Sequence, residues 1–182
     1  MKNTISVTTM IVAVTLLASV AIADDKGFLK VTILTDEALQ TAMAEAPANR
    51  VSDQPMTHVE SAEGRLGIGV VHRPLIAAGA PIEGIRHHKQ SEVYRVMAGL
   101  GTLVTSKSMT ENNELPADGF VVTNLVGPSD TGVIVDVEHS QVIGTGDIVI
   151  IPAGLAHGFS EITEEITYMV VRVDPERLVA LK

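Results

Sequence analysis

The sequence has 182 residues, of which 46% are hydrophobic, and its formal net charge is −9. This length suits one domain with a buried core, and the composition is too apolar for a disordered chain. The absence of cysteine excludes disulfides, iron–sulfur clusters, thiolate zinc sites and cysteine nucleophiles. The acidic balance and the scarcity of aromatic residues argue against a nucleic-acid partner.

The first segment, 1–23, has the pattern of a secretion signal. Lys2 supplies an early positive charge, the run 10–23 is almost wholly apolar, and Ala21 and Ala23 form a small-x-small cleavage site before Asp24. The apolar run is shorter than the roughly 20 residues that span a bilayer, so we expect cleavage and no stable membrane insertion. This pattern predicts a periplasmic or secreted protein.

The next elements are a short helix and then strands. Thr35, followed by Asp36 and Glu37, predicts an N-capped helix that ends before Pro47. From Met56 onward, short β-branched runs are separated by turn residues every 8–12 residues or so, which is typical of an antiparallel sandwich or barrel. The predicted strands are 66–72, 93–97, 101–105, 120–125, 133–137, 148–151 and 166–173, and the polar stretch 107–118 is predicted to be a long loop.

Candidate chemistry is concentrated in two stretches, 84–99 and 146–159. Alternate residues of a strand share a face, so Arg86, His88, Glu92 and Tyr94 are expected to point the same way. In the second stretch, His157 follows a tight Pro-x-Gly turn. If the two stretches meet, they bring imidazoles and a carboxylate together, a set that suits Fe, Mn, Ni, Cu or Zn better than Mg or Ca.

The spacings within these stretches resemble the two motifs of the cupin superfamily. Glu92 is followed after six residues by Gly99, with His88 three residues before Glu92 and His87 four before it. The second motif is matched at four positions, Gly146, Pro152, Gly154 and His157. The resemblance implies an all-β fold, a double-stranded β-helix (jelly-roll) barrel over 61–182, with an N-terminal helix and leading strands in 24–60.

The resemblance also implies a divalent transition metal held by His88 or His87 together with Glu92 and His157. The family commonly uses three histidines and one glutamate, and the position of the first histidine is occupied here by Arg86 or Ile85. Strand parity favours His88 as the ligand, and the four-residue spacing, which also occurs in the family, keeps His87 as an alternative.

Three protein ligands with open positions are typical of a catalytic site. The resemblance therefore implies a metal-dependent enzyme that acts on a small oxygenated molecule, with a dioxygenase favoured over a lyase or an isomerase. Tyr94 is a candidate for proton transfer, and Arg86 for binding an anionic substrate or pairing with Glu92. Tyr168 is expected in the core. The alternative function is a non-catalytic periplasmic protein that binds or senses a small ligand, and the family also implies a homodimer.

Overall fold

The computed structural model describes residues 31–180, so the predicted signal segment lies outside the described residues. The fold is all-β and mostly antiparallel, as predicted, and the sheet is not closed. No helix in the described part of the chain is long and apolar enough to cross a membrane. In chain order the elements are α1 (Asp36–Glu45), β1 (Ser52–Ser61), β2 (Gly64–Arg73), β3 (Glu83–His87), β4 (Ser91–Ser106), β5 (Ser108–Glu114), a π-helical turn (Val122–Val126), β6 (Ser129–Val135), β7 (His139–Gly144), β8 (Ile148–Ile151) and β9 (Ala156–Asp174).

The long strand β9 organises the sheet. It pairs with β2 along its second half, with β3 near its start, and with β4 over almost its whole length, always antiparallel. The remaining strands extend this arrangement on both sides, in the order β1-β2-β9-β3-β6-β5, while β4 also pairs with β7 and β8. Strands from both sequence motifs therefore lie next to β9 or within it.

The helix α1 forms as the sequence predicts. The Thr35 side chain accepts a hydrogen bond from the backbone amide of Ala38 (3.2 Å), and Asp36 and Glu37 occupy the first turn, where the helix dipole favours acidic groups. Its contact with the sheet is small, since Ala42 is its only buried residue.

Two predicted strands, 93–97 and 101–105, are parts of the single strand β4, which continues past Gly99 through an irregular register. Gly99 has a φ of 86°, and a Cβ there would lie 2.1 Å from the carbonyl oxygen of Glu165. Only glycine fits this close approach of two backbones, which explains the fixed glycine at the end of the first motif.

Two other predictions are wrong. The stretch predicted to be a long loop contains β5, an edge strand whose polar side chains remain largely exposed on both faces. The predicted strand 120–125 is instead helical, and its buried residues Val122, Leu125 and Val126 have the three- and four-residue spacing of one helical face. The β-branched composition of this short run concealed its helical period.

The main core lies between β2, β4, β8 and β9. Its members are buried apolar side chains that include an aromatic pair, Tyr94 and Tyr168, with ring centroids 4.2 Å apart. Tyr94 also reaches a group of buried polar residues beyond this core. These polar residues form the candidate site.

Candidate metal site

His87, Glu92 and His157 meet at one buried point. His87 is the last residue of β3, Glu92 is the second residue of β4, and His157 is the second residue of β9. The Nε2 atoms of both histidines lie 3.3 Å from Oε2 of Glu92. All three side chains are nearly inaccessible to solvent, at 3%, 1% and 2% exposure, and their ligand atoms all lie within 4.8 Å of one another.

Backbone pairing brings the two motifs together. Ile85 of β3 pairs with His157 of β9, so His87, two residues further on, lies on the same face as His157. The backbone amide of Gly154 donates a hydrogen bond to the carbonyl of His87 (2.7 Å), which joins the Pro-x-Gly turn directly to the end of β3. Gly154 has a φ of 83°, which favours glycine at this turn.

Hydrogen bonds at Nδ1 fix the orientation of both imidazoles. Nδ1 of His157 lies 3.1 Å from the Leu155 carbonyl, which can only accept, so this nitrogen carries the proton. Nδ1 of His87 lies 2.9 Å from the Ser129 hydroxyl, and the nearer carbonyl acceptor for the hydroxyl proton is that of Gly127 at 3.0 Å. With the hydroxyl proton directed at that carbonyl, Nδ1 of His87 donates to the hydroxyl oxygen. In the neutral rings, both Nε2 atoms therefore present lone pairs towards Glu92.

Glu92 is held on both of its oxygens. Tyr94 donates to Oε2 (2.6 Å), and Nε of Arg172 donates to Oε1 (2.8 Å). Arg172 lies opposite Glu92 across the β4–β9 pair, and its two terminal nitrogens bind the carboxylate of Asp53 at 3.2 and 2.6 Å. The site therefore includes a buried Asp53–Arg172–Glu92 ion-pair chain that connects β1, β9 and β4.

The pKa values in this cluster follow from burial and from these charges. Burial would raise the pKa of Glu92, but His87, His157 and Arg172 together hold it well below its ordinary value. Burial lowers the pKa of His87, against the attraction of Glu92. Burial and the neighbouring Glu92 carboxylate raise the pKa of Tyr94 well above its ordinary value. The site therefore holds a carboxylate, a protonated phenol and a neutral His87.

The structure does not bring His88 or Arg86 to this point. Nε and Nη2 of Arg86 donate to the carboxylate of Asp130 at 2.9 and 2.5 Å, and Nε2 of His88 lies 3.2 Å from the same carboxylate. His88 is also 3.7 Å from Glu114. The expected pairing of Arg86 with Glu92 is therefore wrong, because Arg172 occupies that position.

Strand parity favoured His88 wrongly, because residues 86 and 94 do not lie on one continuous strand. β3 stops at His87, and a short connection precedes β4. Three residues without strand geometry break the alternation of faces. The structure therefore places His87, and not His88, beside Glu92 and His157.

A cavity of about 320 Å³ opens on these residues. Three of its polar lining residues form the His87–Glu92–His157 cluster, and Arg73, Tyr94 and Tyr168 line it as well. Its apolar wall is formed by Val51, Val71, Ile85, Val121, Leu125 and Val126. The π-helical turn supplies two of these side chains, so the segment mistaken for a strand closes one side of the cavity.

Sequence reasoning missed Arg172, Asp53 and Arg73, and it placed Tyr168 in the core without a polar role. One signal was present: in β9 the alternate residues Ile166, Tyr168, Val170 and Arg172 are all buried, so Arg172 is a charge on an apolar face. Such a position requires a buried partner. No comparable signal pointed to Asp53.

No family model matches the sequence, and no curated protein matches it. Several solved structures that it resembles contain cupin domains. A cupin superfamily protein from Desulfitobacterium hafniense is 12% identical over 78% of this chain and 94% of its own, with a TM-score of 0.41. The Cnp3 cupin domain of Schizosaccharomyces pombe is 12% identical over 72% and 71%, with a TM-score of 0.40. A hydroquinone 1,2-dioxygenase is 13% identical over 83% of both chains, with a TM-score of 0.42.

These similarities do not establish the chemistry of this chain, which follows from its own residues. The class that the fold and the site define is an all-β domain with a buried His–Glu–His group able to hold a metal ion.

Proposed function

We propose that the chain is an exported metal-dependent enzyme, in which His87, Glu92 and His157 hold a divalent transition metal beside a small substrate cavity. The observation that carries this proposal is that three potential ligand atoms converge: Nε2 of His87, Nε2 of His157 and Oε2 of Glu92. Two Nε2 atoms, each left unprotonated by the hydrogen bond at its Nδ1, face one carboxylate oxygen at 3.3 Å. Nε2 of His157 is buried and has no hydrogen-bond partner within the described residues.

A cation between these atoms would satisfy all three. Imidazole nitrogens and a carboxylate suit Fe, Mn, Ni, Cu or Zn, and the hydrogen bonds from Nδ1 are the supports that such ligands usually have. When bound, the metal would supply Lewis-acid or redox chemistry to a substrate oxygen in the cavity. Dioxygenase chemistry is the favoured reaction type, with a lyase or isomerase as the alternative.

The residues around the cluster have separate tasks. Ser129 and Leu155 fix which nitrogen of each imidazole faces the cavity. Arg172 holds Glu92 in place through Oε1 and leaves Oε2 directed towards the histidines. Tyr94 keeps its proton on a short hydrogen bond to Oε2, in the cavity wall, and it would donate to a substrate oxygen only by releasing that bond to Glu92.

One observation favours a second function, a non-catalytic protein that binds a small ligand. Glu92 already receives hydrogen bonds from Tyr94 and Arg172, so its charge is compensated without a metal. A site that binds metal weakly would retain the cavity and lose the catalytic centre. Export to the periplasm by the 1–23 segment belongs to both proposals.

Metal content of the purified protein tests the proposal. We expect the wild type to carry a transition metal, and its melting temperature to fall on chelation and recover with added Mn²⁺, Fe²⁺ or Zn²⁺. His87→Ala, His157→Ala and Glu92→Gln should each weaken metal binding by about tenfold or more. Circular dichroism of each variant checks that the fold remains.

His88→Ala is the matched control, since it removes the adjacent imidazole from the Asp130 side. It should keep the wild-type metal content. Equal losses in His87→Ala and His88→Ala would show that the assigned ligand is wrong. A wild type that holds no metal, and that no added metal stabilises, would favour the binding protein over the enzyme.

A further inference from the structure

Arg73 is an arginine that forms no ion pair in the described part of the chain. It is the last residue of β2, and its Nε donates a hydrogen bond to the hydroxyl of Tyr168 (3.0 Å). Its guanidinium carbon lies 5.5 Å from the centre of the Phe159 ring, at the distance of a cation–π contact. These two contacts hold the guanidinium in one place.

The other arginines near it are compensated. Arg86 pairs with Asp130, and Arg172 pairs with Asp53 and Glu92. Arg73 forms no ion pair within residues 31–180, and its hydrogen bond to Tyr168 leaves both terminal nitrogens without an acceptor there. Arg73 is only partly exposed, so its unused donors are available to an anion that binds at this position.

The unused donors line the candidate site. Arg73 borders the cavity of about 320 Å³ together with His87, Glu92 and His157. Most of the remaining wall is apolar. A pocket of this size lies at the small end of ligand sites, which span roughly 300–1,000 Å³.

We propose that Arg73 binds the carboxylate of a small organic acid, whose apolar body lies against Val71, Leu125 and Val126 in the cavity beside the His87–Glu92–His157 cluster. The inference rests on the proposed function, because it names the substrate class of the same site. Glu92 and Asp53 carry two negative charges, and Arg172 and Arg73 carry two positive ones, so these four groups sum to zero in an otherwise acidic protein. Both carboxylates are paired with Arg172, and Arg73 forms no ion pair within the described residues.

The geometry favours a carboxylate over a phosphate. With Nε bound to Tyr168, the guanidinium offers its two terminal nitrogens, a fork that matches the two oxygens of one carboxylate. A phosphate dianion would require more positive charge than one guanidinium. The apolar wall also favours a molecule with a hydrocarbon body over an inorganic ion.

A neighbouring cavity of about 480 Å³ also borders Arg73 and His157, but it does not suit an anion. Its lining includes the carboxylates of Glu83 and Glu111, neither of which pairs with Arg73. These negative charges would repel an organic acid. The smaller cavity is also lined by carboxylates, Glu92 and Asp53, but both are paired with Arg172. The smaller cavity is therefore the binding site, with Arg73 lining both.

Calorimetry with benzoate and hexanoate, on the purified full chain, tests the inference. Benzamide serves as the neutral probe and inorganic phosphate as the second anion. We expect benzoate or hexanoate to bind the wild type, and Arg73→Gln to weaken that binding by about tenfold or more. Arg86→Gln is the matched control and should bind like the wild type, since Arg86 is occupied by Asp130.

Arg73→Lys provides a second measurement if Arg73→Gln folds poorly. Lysine retains the charge and loses the fork, so it should bind benzoate more weakly than the wild type and more tightly than benzamide. Three results would overturn the inference: neither acid binds the wild type, the Arg73 variants bind as tightly as the wild type, or only phosphate binds through Arg73.

Metal content measured on the same samples separates this inference from the proposed function. If the acid binds through Arg73 and no metal is present, the enzyme proposal fails and the carboxylate site stands. If metal is bound through His87, Glu92 and His157 but neither acid binds, the metal proposal stands and the inference about Arg73 fails.

Discussion

Replacing Arg172 with methionine should destabilise the metal-free protein strongly. Arg172 is 6% exposed, and it donates to Glu92 at 2.8 Å and to Asp53 at 3.2 and 2.6 Å. Methionine keeps most of the apolar stem and removes the guanidinium. Glu92, at 1% exposure, would then keep only the hydrogen bond from Tyr94 and lose its fixed positive charge. Removing one partner of such a buried pair costs about 3–5 kcal/mol.

The same reasoning predicts that a metal ion reduces this loss. A divalent cation at His87, Glu92 and His157 would supply positive charge to the same carboxylate. Urea denaturation with a chelator, and again with saturating Mn²⁺ or Zn²⁺, measures the free energy of unfolding in both states. We expect the difference between wild type and Arg172→Met to be clearly smaller with metal than without it.

A second substitution isolates the role of Glu92. In the double variant Arg172→Met, Glu92→Gln, no carboxylate remains at this position, so the metal-free protein should recover part of the lost stability. The reasoning fails if Arg172→Met costs less than about 1 kcal/mol without metal. It also fails if the cost is the same with and without metal, since Arg172 and the ion would then not share Glu92.

Three further predictions concern the scaffold and the site. Gly99→Ala should lower the free energy of unfolding in urea by more than about 2 kcal/mol, because its Cβ would lie 2.1 Å from a carbonyl oxygen. Gly79→Ala is the matched control, since Gly79 has a similar φ of 85° and a Cβ there would have no atom within 4 Å. It should lower the free energy of unfolding by only about 1 kcal/mol. Because burial lowers the pKa of His87 from 6.5, the unfolded state takes up the proton first, so the free energy of unfolding should fall as the pH drops below about 6.5. His87→Asn should flatten that slope when both proteins are measured with a chelator, and an unchanged slope would contradict the assignment. Thr35→Ala should cost about 1 kcal/mol through the lost helix cap and leave metal content unchanged, so a change in metal content would show that α1 supports the site.

The sequence predicted the parts of this site that depend on local spacing. Glu92 and His157 follow from motif positions whose glycines are required by backbone geometry, as Gly99 and Gly154 show. The choice between His87 and His88 depended on the residue at which β3 ends. No local pattern determined that residue, because the strand stops where the chain must connect to β4.

The residues that were missed depend on long-range contacts. Asp53 and Arg172 are 119 positions apart in the sequence. They meet only because β1 and β9 both pair with β2, one on each side of it. In the structure Arg73 is the last residue of β2 and Arg86 the last but one of β3. Asp130 in β6 neutralises Arg86, and the described structure offers no such partner to Arg73. Which arginine faces the cavity is therefore decided by the sheet order.

With His87 as the ligand, the position at which the motif resemblance implies a further histidine is Ile85. Ile85 pairs with His157 and lies two residues before His87, so its side chain shares their face and lines the cavity. A histidine at this position would add a third nitrogen to the cluster. Isoleucine supplies no ligand atom, so an ion held here would have His87, Glu92 and His157 as its ligands from this cluster, in the wall of the cavity that Arg73 also lines. If a metal binds, isoleucine at this position therefore leaves three protein ligands where the motif resemblance implies four, and the organic acid proposed to bind Arg73 would lie in the cavity that these three ligands line.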